Sequence, residues 1–112
     1  MKEKDSLFED KERLARSKLI ILYVMKKVNC PLTNSQIQRL LYDFDGFNYY
    51  YFQHILSDLV EQKYIINYEQ EQERLYEITD DGVYIFELTE NMLPGITKYK
   101  LDSIIKELLK DV

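Results

Sequence analysis

The sequence predicts a mainly α-helical chain with one small β-hairpin, an α+β class with an added C-terminal helix. Three observations lead there. Apolar residues recur at helical spacing in five separate stretches. Two runs rich in Tyr and Ile, Tyr64–Tyr68 and Arg74–Ile78, have strand composition and flank a polar segment. Thr33, Asn48 and Thr79 each stand where the N-cap of a helix belongs. At 112 residues the chain has room for one core and one domain.

Residues 1–10 read as a flexible lead in which Leu7 and Phe8 are the only anchors. A first helix is expected over Lys11–Val28. Its first half carries Lys11, Arg13, Arg16 and Lys18; its second, with the run Leu19–Met25, is apolar nearly all round. Such a helix is either the central core element or part of a subunit interface. Asn29-Cys30-Pro31 ends it, because proline disfavours helix at the residue before it, and Leu32 with its neighbours fits a very short strand. Thr33 and Gln36 have the spacing of a capping box. The helix they open, Asn34 to about Tyr42, puts Ile37, Leu40 and Leu41 on one face.

The next helix, about 48–63 and capped by Asn48, has two unlike faces. Phe52, Ile55, Leu56, Leu59 and Val60 fall on one side, and Tyr50, Gln53, His54, Ser57 and Glu61 on the other. An ordinary solvated face carries Lys and Glu. Here the N-terminal half of the polar side carries aromatic, amide, imidazole and hydroxyl groups, which hydrogen-bond to base edges or phosphates. Tyr49 and Tyr51 are expected to be partly buried and Tyr50 exposed. One reading makes this the second helix of a helix-turn-helix. The other makes it a half-buried surface helix covered by another element.

The two strand-like runs form a hairpin with Glu69–Glu73 as a mobile tip, which lacks the Asn-Gly or Asp-Gly of a tight turn. Thr79 caps the helix that follows, to about Asn91, and Asp80 and Asp81 sit in its first turn, where the helix dipole favours them. Leu93-Pro94-Gly95 breaks the chain. A last helix, about Ile96–Lys110, carries a broad apolar stripe including Leu101, Ile104, Ile105 and Leu108.

Several function classes are excluded. The only histidine is His54, with no Cys or Ser placed as an activated nucleophile, so no enzyme is expected. No Gly-rich phosphate loop or zinc spacing is present, and neither metal nor cofactor is expected. Asp43, Asp45 and Gly46 hint at a calcium loop. With Gly46 in the sixth place, however, Leu41 and Phe52 stand where carboxylates are required. Leu19–Met25 is far too short to cross a bilayer, and the charged N-terminus has no signal-peptide core. A single cysteine, Cys30, fits a cytoplasmic protein and is expected as a buried thiol. The net charge of −5 is unevenly spread. Residues 1–31 carry +3, residues 32–64 carry −2, residues 65–90 carry −7 and residues 91–112 carry +1. An acidic middle is a poor match for a polyanion.

The order helix, short extended piece, helix, helix, hairpin, helix, helix resembles that of the winged helix-turn-helix. The segments PLTNSQI (Pro31–Ile37) and LYEITDDG (Leu75–Gly82) resemble winged-helix transcriptional regulators of the PadR and MarR kind. From Leu14 to Ile65, LARSKLIILYVMKKVNCPLTNSQI and NYYYFQHILSDLVEQKYI are similar to an uncharacterised clostridial winged-helix family, a domain of unknown function. The resemblance spans about residues 7–110. It implies a winged-helix domain over 11–93, a recognition helix about 48–63, a wing about 65–78 and a C-terminal helix in 94–112 that serves dimerisation. Asn48, Tyr49, Tyr50, Gln53, His54 and Ser57 match the recognition-helix positions, and Thr33, Asn34, Ser35 and Gln36 match the helix start that meets phosphates. Gln70, Gln72 and Arg74 match the wing. The chain departs from DNA-binding relatives there, carrying Glu69, Glu71 and Glu73 where they carry Lys or Arg. Two functions are expected from this: a dimeric regulator binding double-stranded DNA, or a protein-interaction module on the same scaffold. For the homodimer contact the candidates are Leu19, Leu22, Tyr23, Leu101, Ile104, Ile105 and Leu108. The alternative is that the last helix folds back on its own domain.

Overall fold

The computed structural model describes residues 2–42, 44 and 48–110, with side chains from Lys11 onward. The calcium-loop reading of Asp43, Asp45 and Gly46, and the anchoring role of Leu7 and Phe8, lie outside the described residues. The elements run α1 (Lys2–Val28), β1 (Leu32–Thr33), α2 (Asn34–Leu41), α3 (Tyr49–Glu61), β2 (Ile65–Gln70), β3 (Glu73–Ile78), α4 (Asp80–Thr89), a single 3₁₀ turn (Glu90–Met92) and α5 (Gly95–Lys110). The α+β class with a C-terminal helix is as expected. α1 starts at Lys2 rather than near Lys11.

Leu19–Met25 form the centre of the core, none more than 7 % exposed. A helix apolar all round must be covered on every side. α1 meets α3, α4, α5 and β3. Asn29 ends it in the left-handed region (φ 54°), with its N–H on the Met25 carbonyl at 3.0 Å, a cap that asparagine tolerates. Cys30, just beyond, is exposed and not a buried thiol. The reason is that the chain has already left the core side of α1 and turns toward β1.

The three strands are antiparallel in the order β1-β3-β2, with Leu32 opposite Tyr76 and Ile65 opposite Ile78. The hairpin ladder continues to Gln70 opposite Glu73. The expected five-residue tip is therefore a two-residue turn. Glu71 and Gln72 both take positive φ, 53° and 69°. Right-handed strand twist demands this geometry, although neither residue favours it. Replacing Gln72 by glycine relieves one of the two strained positions and is expected to stabilise the protein by about 0.5–1 kcal/mol. A thermal melt checks this; an unchanged or lower midpoint contradicts the turn geometry.

α5 folds back on its own domain and packs against α1 and α2. Leu101 and Ile105 are buried, as are Leu19, Leu22 and Tyr23, and Ile104 and Leu108 are half-buried against the same core. Five of these seven residues lie in the chain's own core, and Ile104 and Leu108 pack against it from its edge. α1 has more apolar faces than α3 and α4 cover, and the α5 stripe closes the remainder. The Tyr23 hydroxyl donates to Asp102 Oδ1 at 2.6 Å, and its ring meets Phe86 edge-on at 5.8 Å.

Burial, the hydrogen bond to Asp102 and that carboxylate's charge push the Tyr23 pKa well above the usual tyrosine value. The folded state thus holds the proton more tightly than the unfolded chain. The associated stability is complete below the ordinary tyrosine pKa of about 10 and is lost as pH rises above it. Tyr23→Phe removes a charge-assisted hydrogen bond and is expected to cost about 1–2 kcal/mol at neutral pH. It should also flatten the alkaline loss of stability, read as denaturant midpoints between neutral pH and pH values above about 10. Equal alkaline slopes in both proteins contradict the assignment.

Candidate nucleic-acid interface

α2 and α3 are adjoining helices whose starts are set by local hydrogen bonds. The Thr33 hydroxyl accepts from Gln36 N–H at 3.1 Å, and Gln36 Oε1 accepts from Thr33 N–H at 2.9 Å. This completes the capping box. Asn48 Oδ1 likewise accepts from Tyr51 N–H at 2.9 Å. Thr33, Gln36 and Asn48 are thus engaged in capping. Ser35 is exposed and, with Gln38, Arg39 and Tyr42, lines an open depression of about 470 Å³ on the outer face of α2.

The apolar face of α3 is buried as expected, through Phe52, Ile55, Leu56 and Leu59. On the other side Tyr50 is 83 % exposed, and Tyr49, expected to be partly buried, is 56 % exposed. Their rings meet edge-to-face at 5.5 Å. Tyr49 stands in the first turn, where the core face has not yet reached the protein body. His54 and Ser57 are exposed one and two turns further along. Gln53 is different. Its Nε2 donates to Asn34 Oδ1 at 2.9 Å and its Oε1 accepts from Asn34 Nδ2 at 3.1 Å. This reciprocal amide pair ties α2 to α3 and holds Gln53 half-buried. The projecting ridge is therefore Tyr49, Tyr50, His54 and Ser57, with the Asn34–Gln53 pair along its edge.

Two neighbours frame the ridge. On the hairpin side a depression of about 180 Å³ is lined by Gln53, Leu56, Ser57, Val60, Asn67 and Tyr76. Asn67 was not singled out in the sequence. Its signal was a polar residue in strand register with buried Ile65. On the opposite side α1 lies against α3. The Arg13 guanidinium carbon is 4.3 Å from the centre of the Tyr51 ring, and Ser17 Oγ is 3.2 Å from the Tyr51 hydroxyl. Lys18 Nζ is 3.6 Å from Asp58, which is 3.6 Å from His54 Nε2, and Lys18 also donates to Gln62 at 3.2 Å.

The hairpin end is acidic. Arg74 pairs across the ladder with Glu69 at 3.2 Å, while Glu71 and Glu73 are exposed. Arg74 thus carries a carboxylate partner on one side while its side chain stays about half exposed. No group of three His, Cys, Asp or Glu side chains suited to a metal occurs among the described residues. No helix among the described residues is long and apolar enough to cross a membrane.

Phenol, imidazole and hydroxyl groups on a projecting helix donate and accept hydrogen bonds, and the rings present flat apolar faces. No solved structure and no curated protein matches the chain. One family model does, over residues 17–112, which takes in every element from the apolar half of α1 to the end of the chain. With that coverage the chain belongs to the family described as a domain of unknown function, DUF4364.

Proposed function

We propose that this chain is a DNA-binding regulator built on a winged helix-turn-helix. α3 enters the major groove, the start of α2 rests on the backbone and the β2–β3 hairpin takes the place of the wing. The element order and the strand order β1-β3-β2 support this reading. The observation that carries it is the ridge of Tyr49, Tyr50, His54 and Ser57, which projects from a helix whose other face is fully buried. Donors, acceptors and aromatic faces that the fold itself leaves unused are suited to base edges.

The regulator would act as a two-fold dimer reading paired half-sites. The α5 stripe faces inward, so the pairing surface is sought among exposed apolar side chains, of which Met92, Ile96 and Tyr99 are grouped around the start of α5. Sedimentation at twice the 13.6 kDa chain mass is the expected result. The function is tested by capturing genomic duplex fragments at low salt and titrating binding with salt. Steep loss of affinity with salt is expected, because phosphate contacts release counterions. Absence of any specific retention at low salt overturns the reading.

A second reading has its own support in the hairpin, where Glu69, Glu71 and Glu73 surround a neutralised Arg74. On that reading the fold is a protein-docking module and Tyr49 and Tyr50 are interface anchors. Recovery of a protein partner with no nucleic acid favours it.

A further inference from the structure

We infer that the cleft between α3 and the hairpin binds a small uncharged molecule with an amide edge, a single ring or end group held by Ser57, Asn67 and Tyr76. The inference starts from Tyr76. This residue is 8 % exposed, yet its hydroxyl has no hydrogen-bond partner among the described residues. A polar group so far removed from water normally has one. No fully enclosed side-chain nitrogen or oxygen among the described residues lacks a partner, so the hydroxyl opens onto space that another molecule can enter. Tyr76 lines such a space, the depression of about 180 Å³ beside α3.

The fold brings further unused groups to the same place. Asn67 is opposite Tyr76 in the β2–β3 ladder, so both side chains stand on one face of the sheet. Leu32 is opposite Tyr76 on its other side and is buried, which makes that face the one toward the core. Gln53, Leu56, Ser57 and Val60 of α3 supply the facing wall. The Asn67 carboxamide and the Ser57 hydroxyl have no hydrogen-bond partner among the described residues. Gln53 gives one donor and one acceptor to Asn34 and keeps one of each. Hydroxyls and carboxamides pair with the C=O and N–H of an amide edge, as Asn and Gln do with base edges. Leu56 and Val60 add an apolar surface for a flat ring. No charged side chain among the described residues lines the depression, so an ion entering it would lose hydration with no opposite charge to replace it. The volume lies below the roughly 300 Å³ at which pockets for drug-sized molecules begin, which limits the occupant to one ring or the end of a larger molecule.

The test titrates the full chain with uracil and with nicotinamide, two neutral rings that carry amide groups, and follows the amide resonances of Ser57, Asn67 and Tyr76 by NMR. Saturable shifts confined to the cleft are expected with at least one of them. Tyr76→Phe, which removes only the hydroxyl, should weaken that binding about fivefold. Because the hydroxyl has no protein partner, the same variant should melt at the wild-type temperature or above it. Orotate, the uracil ring with a carboxylate, should bind more weakly than uracil, and toluene should bind more weakly than either neutral probe. Absence of saturable shifts with both neutral probes overturns the inference, as does wild-type affinity in Tyr76→Phe. A lowered melting temperature in Tyr76→Phe overturns it too, since the hydroxyl would then be bonded within the protein. Equal binding of orotate or toluene overturns the stated ligand class. No duplex is present in these measurements, so their failure leaves the proposed function standing, and a failure to bind DNA leaves this inference standing.

Discussion

Replacing Gly82 by alanine is expected to destabilise the protein by about 3 kcal/mol, lowering its melting temperature by on the order of 10 °C. A Cβ there would lie 2.2 Å from the Tyr64 carbonyl oxygen and 2.8 Å from Ile78 Cγ1. The first of these is backbone and cannot swing aside. That carbonyl already accepts the Thr79 N–H at 3.0 Å. Thr79 in turn donates its hydroxyl to the Lys63 carbonyl at 2.7 Å and accepts from Gly82 N–H at 3.0 Å. Moving α4 away to admit a methyl group therefore loosens the cap of α4 and its junction with the end of α3 together. Helix propensity alone favours alanine over glycine by about 1 kcal/mol, so the sign of the effect is decided by the contact. Gly95→Ala is the control. It also lies in a helix, a methyl group added there would meet nothing within 4 Å, and the change is expected to be neutral or slightly stabilising. Equal melting temperatures for Gly82→Ala and wild type would show that α4 does not approach Tyr64 this closely in solution.

The double variant Tyr50→Ala/His54→Ala is expected to fold as wild type and to lose sequence discrimination. Both side chains are largely in solvent, Tyr50 83 % exposed and the His54 side chain 62 %, so truncation removes little packing. Each good base contact is worth roughly 1–3 kcal/mol of discrimination, so two together should lower affinity for a selected site by on the order of 100-fold. Binding to unselected duplex should change far less, because it depends on phosphate contacts. The measurement is competition between a selected and a scrambled duplex. Undiminished preference for the selected site removes α3 as the reading element. Retained duplex binding with loss of a captured protein partner transfers Tyr50 to the docking reading.

The helices were legible wherever a short-range pattern specifies them. The caps at Thr33, Asn48 and Thr79 each close through a hydrogen bond three residues along the chain, so residue spacing is enough to find them. The burial of Phe52, Ile55, Leu56 and Leu59 follows from helical period in the same way. The hairpin was found but its turn was not. Glu71 and Gln72 adopt positive φ because the flanking ladder holds them there, against their own preference.

The candidate site divides along the same line. The polar face of α3 was visible in its residue types, and the exposure of Tyr50, His54 and Ser57 agrees with it. That Asn34 and Gln53 are bound to each other was not visible, because 19 residues of chain separate them. Nor was the stacking of Arg13 on Tyr51, which fixes α1 against the first turn of α3. The requirement for glycine at position 82 arises from a carbonyl far away in sequence.

From residue order alone came the helices, the strands, their apolar faces and the acidic hairpin, since period, capping and charge are properties of neighbours along the chain. The tertiary structure alone decided that α5 packs on α1 and α2, that Cys30 faces solvent, and that Arg13 and Lys18 lie against α3. Those outcomes depend on which faces compete for the same core surface, and that competition exists only once the elements meet.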